Sequence, residues 1–356
     1  MSEHFNYKMI TLARESRGLT QKDLSSKIPS LNQGNLSKIE RGQLNASIDL
    51  MRSIANTLNY PLSFFYQKEV LTPISNFYYR KRTSVSKRTI SKFEAQVDII
   101  RKSVDILTKD VEMEEFRFPQ IEIGVHNKPK DAAIAVRQFL KIPKGPISDI
   151  ITALENHGII VYFIDADEEG IDGLTTFTDN ARPIIFINQN YPNDRKRFTL
   201  SHELGHLVMH IPFVLEEWRD EELEANQFAS EFLMPDLDCR ADLHSFKFNR
   251  LADLKSYWRI SKAAIIRRAY DLNFITYETY QYMIIELGRR GERKVEKGYV
   301  EIDEPKLLHE IINLHLADSS KHDLANVISL SERDFEDSFI HMGQKRLKLV
   351  VNNRVA

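Results

Sequence analysis

The chain has 356 residues, of which 42% are hydrophobic and 28% charged, and its net charge is -2. This composition is close to the average for a globular protein and excludes a largely disordered chain, while the length suggests two or three domains. The longest apolar stretch, Ile159–Ile164, is far shorter than the roughly 20 residues that a membrane-spanning helix needs. A single cysteine, Cys239, excludes an internal disulfide and a cysteine-based zinc site, so we expect a cytoplasmic protein without a membrane segment.

The charge is unevenly distributed along the chain. Residues 1–110 contain 18 Lys/Arg and 10 Asp/Glu, a net charge of +8, which leaves -10 for the remaining residues. A basic front end on an acidic body indicates a module that binds a polyanion, joined to a body that does not bind nucleic acid.

Five short helices are predicted within the first 66 residues, which we assign to an all-α domain over residues 1–70. The second helix begins after Thr20, and Asp23 stands three residues later in a capping-box pattern. The third begins at Asn32 and stops at Gly42, because glycine commonly ends a helix.

Residues 71–125 predict a connector with one long helix. Apolar residues recur at helical spacing from Phe93 to Leu107. The stretch Phe77–Arg88 before this helix is basic and aromatic. Three interpretations of it are open: a contact with the DNA backbone, a cleavable hinge, or a solvated face.

Helices and strands alternate from residue 126, which predicts an α+β domain over residues 126–295. A long helix is expected from Asn193 or Asp194 to Pro212, and a second one over residues 220–234. The remaining residues, 296–356, form a C-terminal segment to which the sequence assigns no role. Buried strands are predicted over residues 158–165, 173–178 and 183–188.

The sequence His202-Glu203-Leu204-Gly205-His206 is the strongest functional signal in the chain. Residues four apart on a helix share one face, with Cβ atoms about 5–6 Å apart, so His202 and His206 can bind one divalent cation. Glu203 projects beside them and is the expected catalytic base. The helix is largely apolar, and polar groups are not buried without partners, which disfavours two merely solvated histidines.

A third metal ligand is expected on the next helix, residues 220–235. Its packed face carries Ala and Phe side chains together with Glu222 and Asn226, and a carboxylate on such a face requires a cation. We therefore predict Glu222 as the third ligand and Asn226 as the hydrogen-bond partner of a ligand histidine. Glu221 and Glu224 are interpreted as solvated charges.

His210 follows His202 by two helical turns, about 12 Å along the axis, and cannot share the metal with both other histidines. Three roles are open for His210: it contacts one of the metal-binding histidines, it faces the substrate, or it is a structural histidine. A site of two histidines and a glutamate suits Zn2+ and would activate water, with Glu203 passing a proton to the leaving amine. Composition offers four residues for stabilising the oxyanion: Tyr191, Tyr257, Arg197 and His210.

These residues resemble the signature of the ImmA/IrrE family of metallopeptidases, and the likeness covers residues 128–293. The resemblance implies a zincin-like α+β domain and a metal-dependent endopeptidase that cuts repressor-like regulators. Zinc is the usual metal of the family, and manganese dependence is also claimed in it. The segments that carry the likeness are Arg137–Ile147, Arg182–Asn188, Arg197–Leu207, Glu222–Pro235 and Lys255–Ala269.

The first domain resembles the XRE (Cro/repressor-like) helix-turn-helix family through Leu19–Leu24 and Asn35–Gly42, with Pro29-Ser30 where glycine is usual. The resemblance implies a double-stranded DNA operator, and a homodimer is expected because such proteins commonly read two half-sites. Gln21 is placed to hold a phosphate, and Arg41 either contacts phosphate or pairs near Glu40. The residues suited to base edges are Gln33, Asn35, Ser37 and Lys38.

Together these features predict a multidomain protein: an all-α helix-turn-helix domain, then an α+β zincin-like metallopeptidase domain with a helical C-terminal extension. The leading hypothesis is a DNA-binding transcriptional regulator whose zinc-type endopeptidase, active or latent, cleaves a repressor-like protein, or itself within residues 70–125. The context would be a stress, phage or mobile-element response. One alternative is a non-proteolytic regulator whose metal site is structural or a sensor, although an intact Glu203 argues against it. Another is a hydrolase of small amides.

Overall fold

A computed structural model gives the structure of the chain. It describes residues 5–67, 86–166, 170–216, 218–244, 246–293, 295–301 and 303–343. Residues 77–85, which make up most of the basic aromatic stretch, lie outside the described residues.

The front domain is a bundle of short helices around one apolar core. The capping box predicted at Thr20 is confirmed: its hydroxyl accepts from the Asp23 amide at 3.1 Å, and the Asp23 carboxylate accepts from the Thr20 amide at 2.9 Å. Asn32 caps the third helix with its side chain, as its sequence position predicts. The elements are α1 (Lys8–Ser16), α2 (Gln21–Ser26), α3 (Gln33–Glu40), α4 (Ile48–Leu58) and a final 3-10 turn (Leu62–Tyr66).

The predicted connector helix is α5 (Lys87–Thr108), and it packs along α1. Its apolar stripe, from Phe93 to Leu107, is buried. At its start, Arg88 Nε donates to the Gly18 carbonyl at 2.6 Å. Gly18 has a φ of +64° and ends the loop after α1, a backbone conformation that favours glycine. The connector helix therefore packs against the front domain and is more than a spacer between two domains.

A three-stranded sheet forms the centre of the body. Its order is β1-β3-β2, with β3 parallel to β1 and antiparallel to β2. All residues of β1 and β3 are buried, which explains their uninterrupted apolar sequences. The strands are β1 (Ile160–Ile164), β2 (Gly173–Phe177) and β3 (Pro183–Asn188), preceded by α6 (Pro129–Phe139) and α7 (Ile150–Glu155).

Two helices, α8 (Asn193–Met209) and α9 (Glu221–Leu233), pack against each other beside the sheet. Gly205 allows their close approach, because a Cβ at this position would lie 3.1 Å from the Phe228 ring. The predicted cap at Asn193 or Asp194 is wrong. Pro192 is the N-cap residue, and its side chain forms no capping hydrogen bond. The Asn193 side chain instead donates to the Val300 carbonyl, and Asp194 forms an ion pair with Lys255.

The described residues after α9 are mostly helical and fold back over the body. Helix α14 contacts both α5 and β1, and the Tyr162 hydroxyl donates to the Ser338 carbonyl at 2.7 Å. No helix in the described part of the chain is long and apolar enough to cross a membrane. The helices are α10 (Asp236–Leu243), α11 (Leu251–Trp258), α12 (Lys262–Asp271), α13 (Tyr277–Arg289), α14 (Leu307–Asp318), α15 (Lys321–Val327) and α16 (Glu332–Phe335), with a 3-10 turn at Phe248–Arg250 and a π turn at Glu336–Ile340.

The front domain contacts this C-terminal region through Arg17. Its guanidinium binds both carboxylate oxygens of Asp334, at 3.0 and 2.6 Å, and stacks on the Tyr60 ring. Asn59 adds a hydrogen bond to the Ser331 hydroxyl at 3.1 Å. The described residues after 295 are thus part of the packed structure and contact the front domain.

Candidate metal centre

Helix α8 places His202 and His206 one turn apart on the face that meets α9. Their Nε2 atoms lie 3.0 Å from each other. From α9, Glu222 brings one carboxylate oxygen to 3.7 Å from His202 Nε2 and the other to 3.7 Å from His206 Nε2. Three predicted ligands from two helices therefore converge on one point.

The donor set fits a divalent metal ion. The three ligand atoms all lie within 4.8 Å of one another. A tetrahedral zinc ion with bonds of about 2.0–2.1 Å separates its donors by roughly 3.3 Å, and the observed separations of 3.0 and 3.7 Å bracket that value. The Glu222 side chain is 32% exposed, so solvent reaches the centre from that side.

Each histidine is held on its second ring nitrogen. His202 Nδ1 lies 3.0 Å from the Asn226 side-chain oxygen. His206 Nδ1 lies 2.8 Å from His210 Nδ1, and His210 Nε2 lies 3.0 Å from Glu224 Oε2. Such partners fix the ring orientation and the tautomer of a metal ligand.

Glu224 ends this second chain of hydrogen bonds, and its interpretation as a solvated charge is wrong. The Arg219 guanidinium donates to both of its oxygens, at 3.1 and 2.5 Å. The segment between α8 and α9 brings Arg219 back over His210, an arrangement that helical periodicity does not encode. Glu221 also departs from the expectation, because a carboxylate oxygen of it lies within 4.8 Å of ring nitrogens of His206 and His210.

Burial determines the protonation of the two inner histidines. Burial, with the neighbouring imidazoles, lowers the pKa of His206 well below its usual range. Burial also lowers the pKa of His210, although the Glu224 carboxylate opposes this shift. Both rings are therefore neutral near pH 7, the state in which histidine binds metals.

Glu203 is fully buried on the sheet side of α8. The Thr175 hydroxyl of β2 donates to Glu203 Oε2 at 2.8 Å, while Oε1 has no hydrogen-bond partner among the described residues. Burial, reinforced by the charge of Glu222, raises the pKa of Glu203 well above its usual range. A carboxyl group with a raised pKa beside a metal site is suited to exchanging protons.

Thr175 reaches Glu203 because β2 lies close to α8. Gly173, on the same face of β2, makes this possible: a Cβ there would lie 2.7 Å from the Thr199 methyl group. Thr175 precedes Glu203 by 28 residues and lies on another element, and no motif marks it, so the sequence alone does not predict its role.

Two of the four residues considered for stabilising the oxyanion form other contacts in the structure. Arg197 is buried in an ion pair with Asp303 and donates to the Ile147 carbonyl at 2.6 Å. His210 uses both ring nitrogens in the chain described above. Tyr191 accepts from the Gly170 amide at 3.0 Å, and Tyr257 is exposed.

Helix α3 of the front domain exposes most of the residues predicted to read DNA. Gln33, Asn35, Lys38 and Arg41 are exposed, and Ser37 is partly exposed. Arg41 does not pair with Glu40, whose carboxylate instead binds Arg14 at 2.7 Å. Gln21 donates to that same carboxylate at 2.7 Å and accepts from Gln33 at 3.0 Å, which joins α2 to α3.

Comparison with protein families gives one match for each domain. Residues 10–65 match the helix-turn-helix family, and residues 154–270 match a peptidase family described as the IrrE N-terminal-like domain. No curated protein and no solved structure matches the chain.

Proposed function

We propose that this chain, which joins an XRE-type helix-turn-helix domain to an IrrE-like metallopeptidase-type domain, is a DNA-binding regulator that cleaves a repressor-like protein or itself. The observation that carries the proposal is the convergence of His202, His206 and Glu222 next to the buried Glu203. Zinc is the ion that best suits these donors, and manganese is the second choice. The trigger would be a stress, phage or mobile-element response.

The chain's own residues have distinct roles in this proposal. A bound cation would supply Lewis acidity toward a peptide carbonyl and toward water. Glu203 would accept the proton of the attacking water and deliver it to the leaving amine. Thr175 would hold one oxygen of Glu203, leaving the other for the proton. Asn226 and His210 would orient the ligand histidines.

The alternative of a purely structural or sensor site predicts a closed coordination sphere. Within the described residues, the group around His202 contains three protein donors, so a position is left for water. A buried Glu203 bound to Thr175 also has no use in a site that only stabilises the fold.

Peptidase activity is tested with the full chain loaded with Zn2+ or Mn2+ and incubated with a proteome-derived peptide library. New peptide termini are identified by mass spectrometry. Glu203→Gln is the matched variant, because it preserves size and leaves the ligands in place. We expect it to bind as much metal as the wild type and to lose at least 100-fold in activity. Equal cleavage by both proteins would refute the role of Glu203.

Self-cleavage is distinguished from cleavage of a partner by incubating the loaded chain alone at several concentrations. Cleavage within one molecule has a rate that does not depend on concentration, and its fragments would end within residues 70–125. A rate proportional to concentration would indicate that one chain cuts another.

DNA binding is tested by selecting a double-stranded operator from random sequences and then measuring affinity against salt. Asn35→Ala should weaken the selected operator by about 5- to 150-fold, equivalent to about 1–3 kcal/mol, and relax one base position. Arg41→Ala should lower the salt slope by about one, as expected for a residue that contacts a phosphate. A homodimer on the operator is expected to cover two half-sites. Unchanged affinity in both variants would exclude α3 as the reading helix.

A further inference from the structure

We propose that a groove beside the metal centre binds the substrate and selects peptide segments that carry acidic side chains. This inference rests on the proposed peptidase function. The groove has a volume of about 930 Å³ and lies between α6, α8, α9 and α12, with Arg293 and Glu296 also in its lining.

One end of the groove adjoins the metal centre. Asn226, which contacts His202, lines it, as does Phe198, one turn before His202 on α8. Leu223, the residue after Glu222, completes this end. The two apolar side chains favour an apolar substrate residue near the bond to be cut.

The acidic residues that line the groove are all neutralised by protein cations. Asp194 and Glu296 share Lys255, which lies behind the groove wall. The other three carboxylates each have an arginine partner. These pairs are Glu231 with Arg268, Asp271 with Arg267 at 2.9 Å, and Asp236 with Arg240 at 2.9 Å.

Three cations of the lining keep their charge uncompensated. Lys128, Lys130 and Arg293 are exposed and form no ion pair with other described residues. Within the described ranges, the hydrogen bond of Lys128 Nζ goes to the Gly124 carbonyl, at 3.0 Å. Lys128 and Lys130 stand at the start of α6, where the Asp131 carboxylate accepts from the Lys128 amide at 2.9 Å and offsets the positive end of the helix dipole.

The groove therefore combines an apolar end at the metal centre with three unpaired cations elsewhere in its lining. Because the carboxylates of the wall are already paired, this positive charge attracts carboxylates of a ligand instead. A segment with one apolar residue flanked by Glu or Asp matches this lining, whereas a Lys-rich segment is repelled.

The test measures binding, so that it does not depend on catalysis. Fluorescein-labelled 12-residue peptides with a central leucine and flanking Glu, Gln or Lys residues are titrated by anisotropy into the full-length Glu203→Gln variant. We expect the Glu peptide to bind about tenfold more tightly than the Gln peptide, since exposed ion pairs each contribute a factor of about two or more. The Lys peptide should bind most weakly.

A double charge-reversal variant tests whether the preference for the Glu peptide arises in the groove. Lys130→Glu combined with Arg293→Glu, also placed in the Glu203→Gln background, should abolish the preference for the Glu peptide. The matched control, Lys109→Glu with Lys247→Glu, makes the same charge change at exposed positions outside the groove and should retain it. Equal binding of the Glu and Gln peptides, or an unchanged preference in the groove variant, would overturn the proposal.

Cleavage of the same peptides by the metal-loaded wild type separates this inference from the proposed function. A charge preference in binding without any cleavage would contradict the peptidase assignment and leave the groove assignment standing. Cleavage of the three peptides at equal kcat/KM would support the peptidase and refute the selection of acidic segments.

Discussion

The Nδ1 atoms of His206 and His210 lie 2.8 Å apart, so one imidazole donates a hydrogen bond to the other. If Nε2 of His206 binds the metal, its proton must be on Nδ1, and His206 is the donor. His210 then carries its own proton on Nε2 and donates it to Glu224, which Arg219 holds in place. One protonation pattern satisfies the entire chain, and it is the pattern that a metal ligand requires.

Replacing His210 tests this chain. His210→Leu removes the acceptor of His206 while filling a similar volume, so we expect zinc affinity to fall about 10- to 100-fold. The measurement is a competition titration against a fluorescent chelator, with circular dichroism to show that the variant folds. His244→Leu, a change of an exposed histidine, is the control and should bind zinc like the wild type. Unaltered affinity in His210→Leu would show that the ring is only structural.

Thr175 is expected to act on the base and not on the metal. Thr175→Val removes its hydrogen bond to Glu203, which is worth about 1.5–3 kcal/mol for a charged acceptor, so kcat should fall about 10- to 100-fold with zinc affinity and KM retained. Thr176→Val is a matched control, because this neighbour is also buried but lies on the opposite face of β2. A loss of zinc in Thr175→Val, or equal losses of activity in both variants, would contradict the assignment.

The parts of the site that could be predicted from the sequence are those fixed by local geometry. Helical spacing alone places His202 and His206 on one face, and the face of α9 that carries Ala225 also presents Glu222. Chemical reasoning about a carboxylate on the packed face then selects Glu222 and its neighbour Asn226, although Glu222 is partly exposed and Asn226 is exposed. These inferences need only the period of a helix.

The other parts depend on contacts that are distant in sequence. The position of Glu224 off the packed face of α9 predicts a solvated charge, but Arg219 and His210, from the preceding segment and α8, bind its carboxylate. Arg197 is suited to an oxyanion by its charge, yet Asp303, 106 residues later, binds it in the core. The helical periodicity of α8 and α9 gives no information about these partners.

The Arg197–Asp303 pair is expected to be a stability determinant of the body. Their side chains are 2% and 5% exposed, and removing one partner leaves the other charge buried. Asp303→Ala should therefore lower the free energy of unfolding by about 3–5 kcal/mol. Glu304→Ala, at the exposed next position, should change it by less than about 0.5 kcal/mol. Urea denaturation measures both, and similar values for the two variants would contradict the prediction.

Glu155 is expected to make stability depend on pH. It is buried at the C-terminal end of α7, where it accepts from the Lys306 amide at 3.0 Å and the Leu307 amide at 3.2 Å. Burial raises the pKa of Glu155 from 4.5 to about 7, despite these two hydrogen bonds. Between those values the folded chain holds a proton that the unfolded chain has lost, so stability falls as the pH rises through this window.

The comparison that isolates this effect is wild type against Glu155→Gln, which is neutral at every pH. Raising the pH from 5 to 8 should cost the wild type about 2 kcal/mol more in free energy of unfolding than it costs Glu155→Gln. The difference between the two proteins cancels the titration of the histidines, which both contain. Glu112→Gln, at an exposed position, should follow the wild type. Parallel pH profiles for wild type and Glu155→Gln would mean that the carboxyl group is already ionised at pH 5, with the two amide hydrogen bonds outweighing its burial.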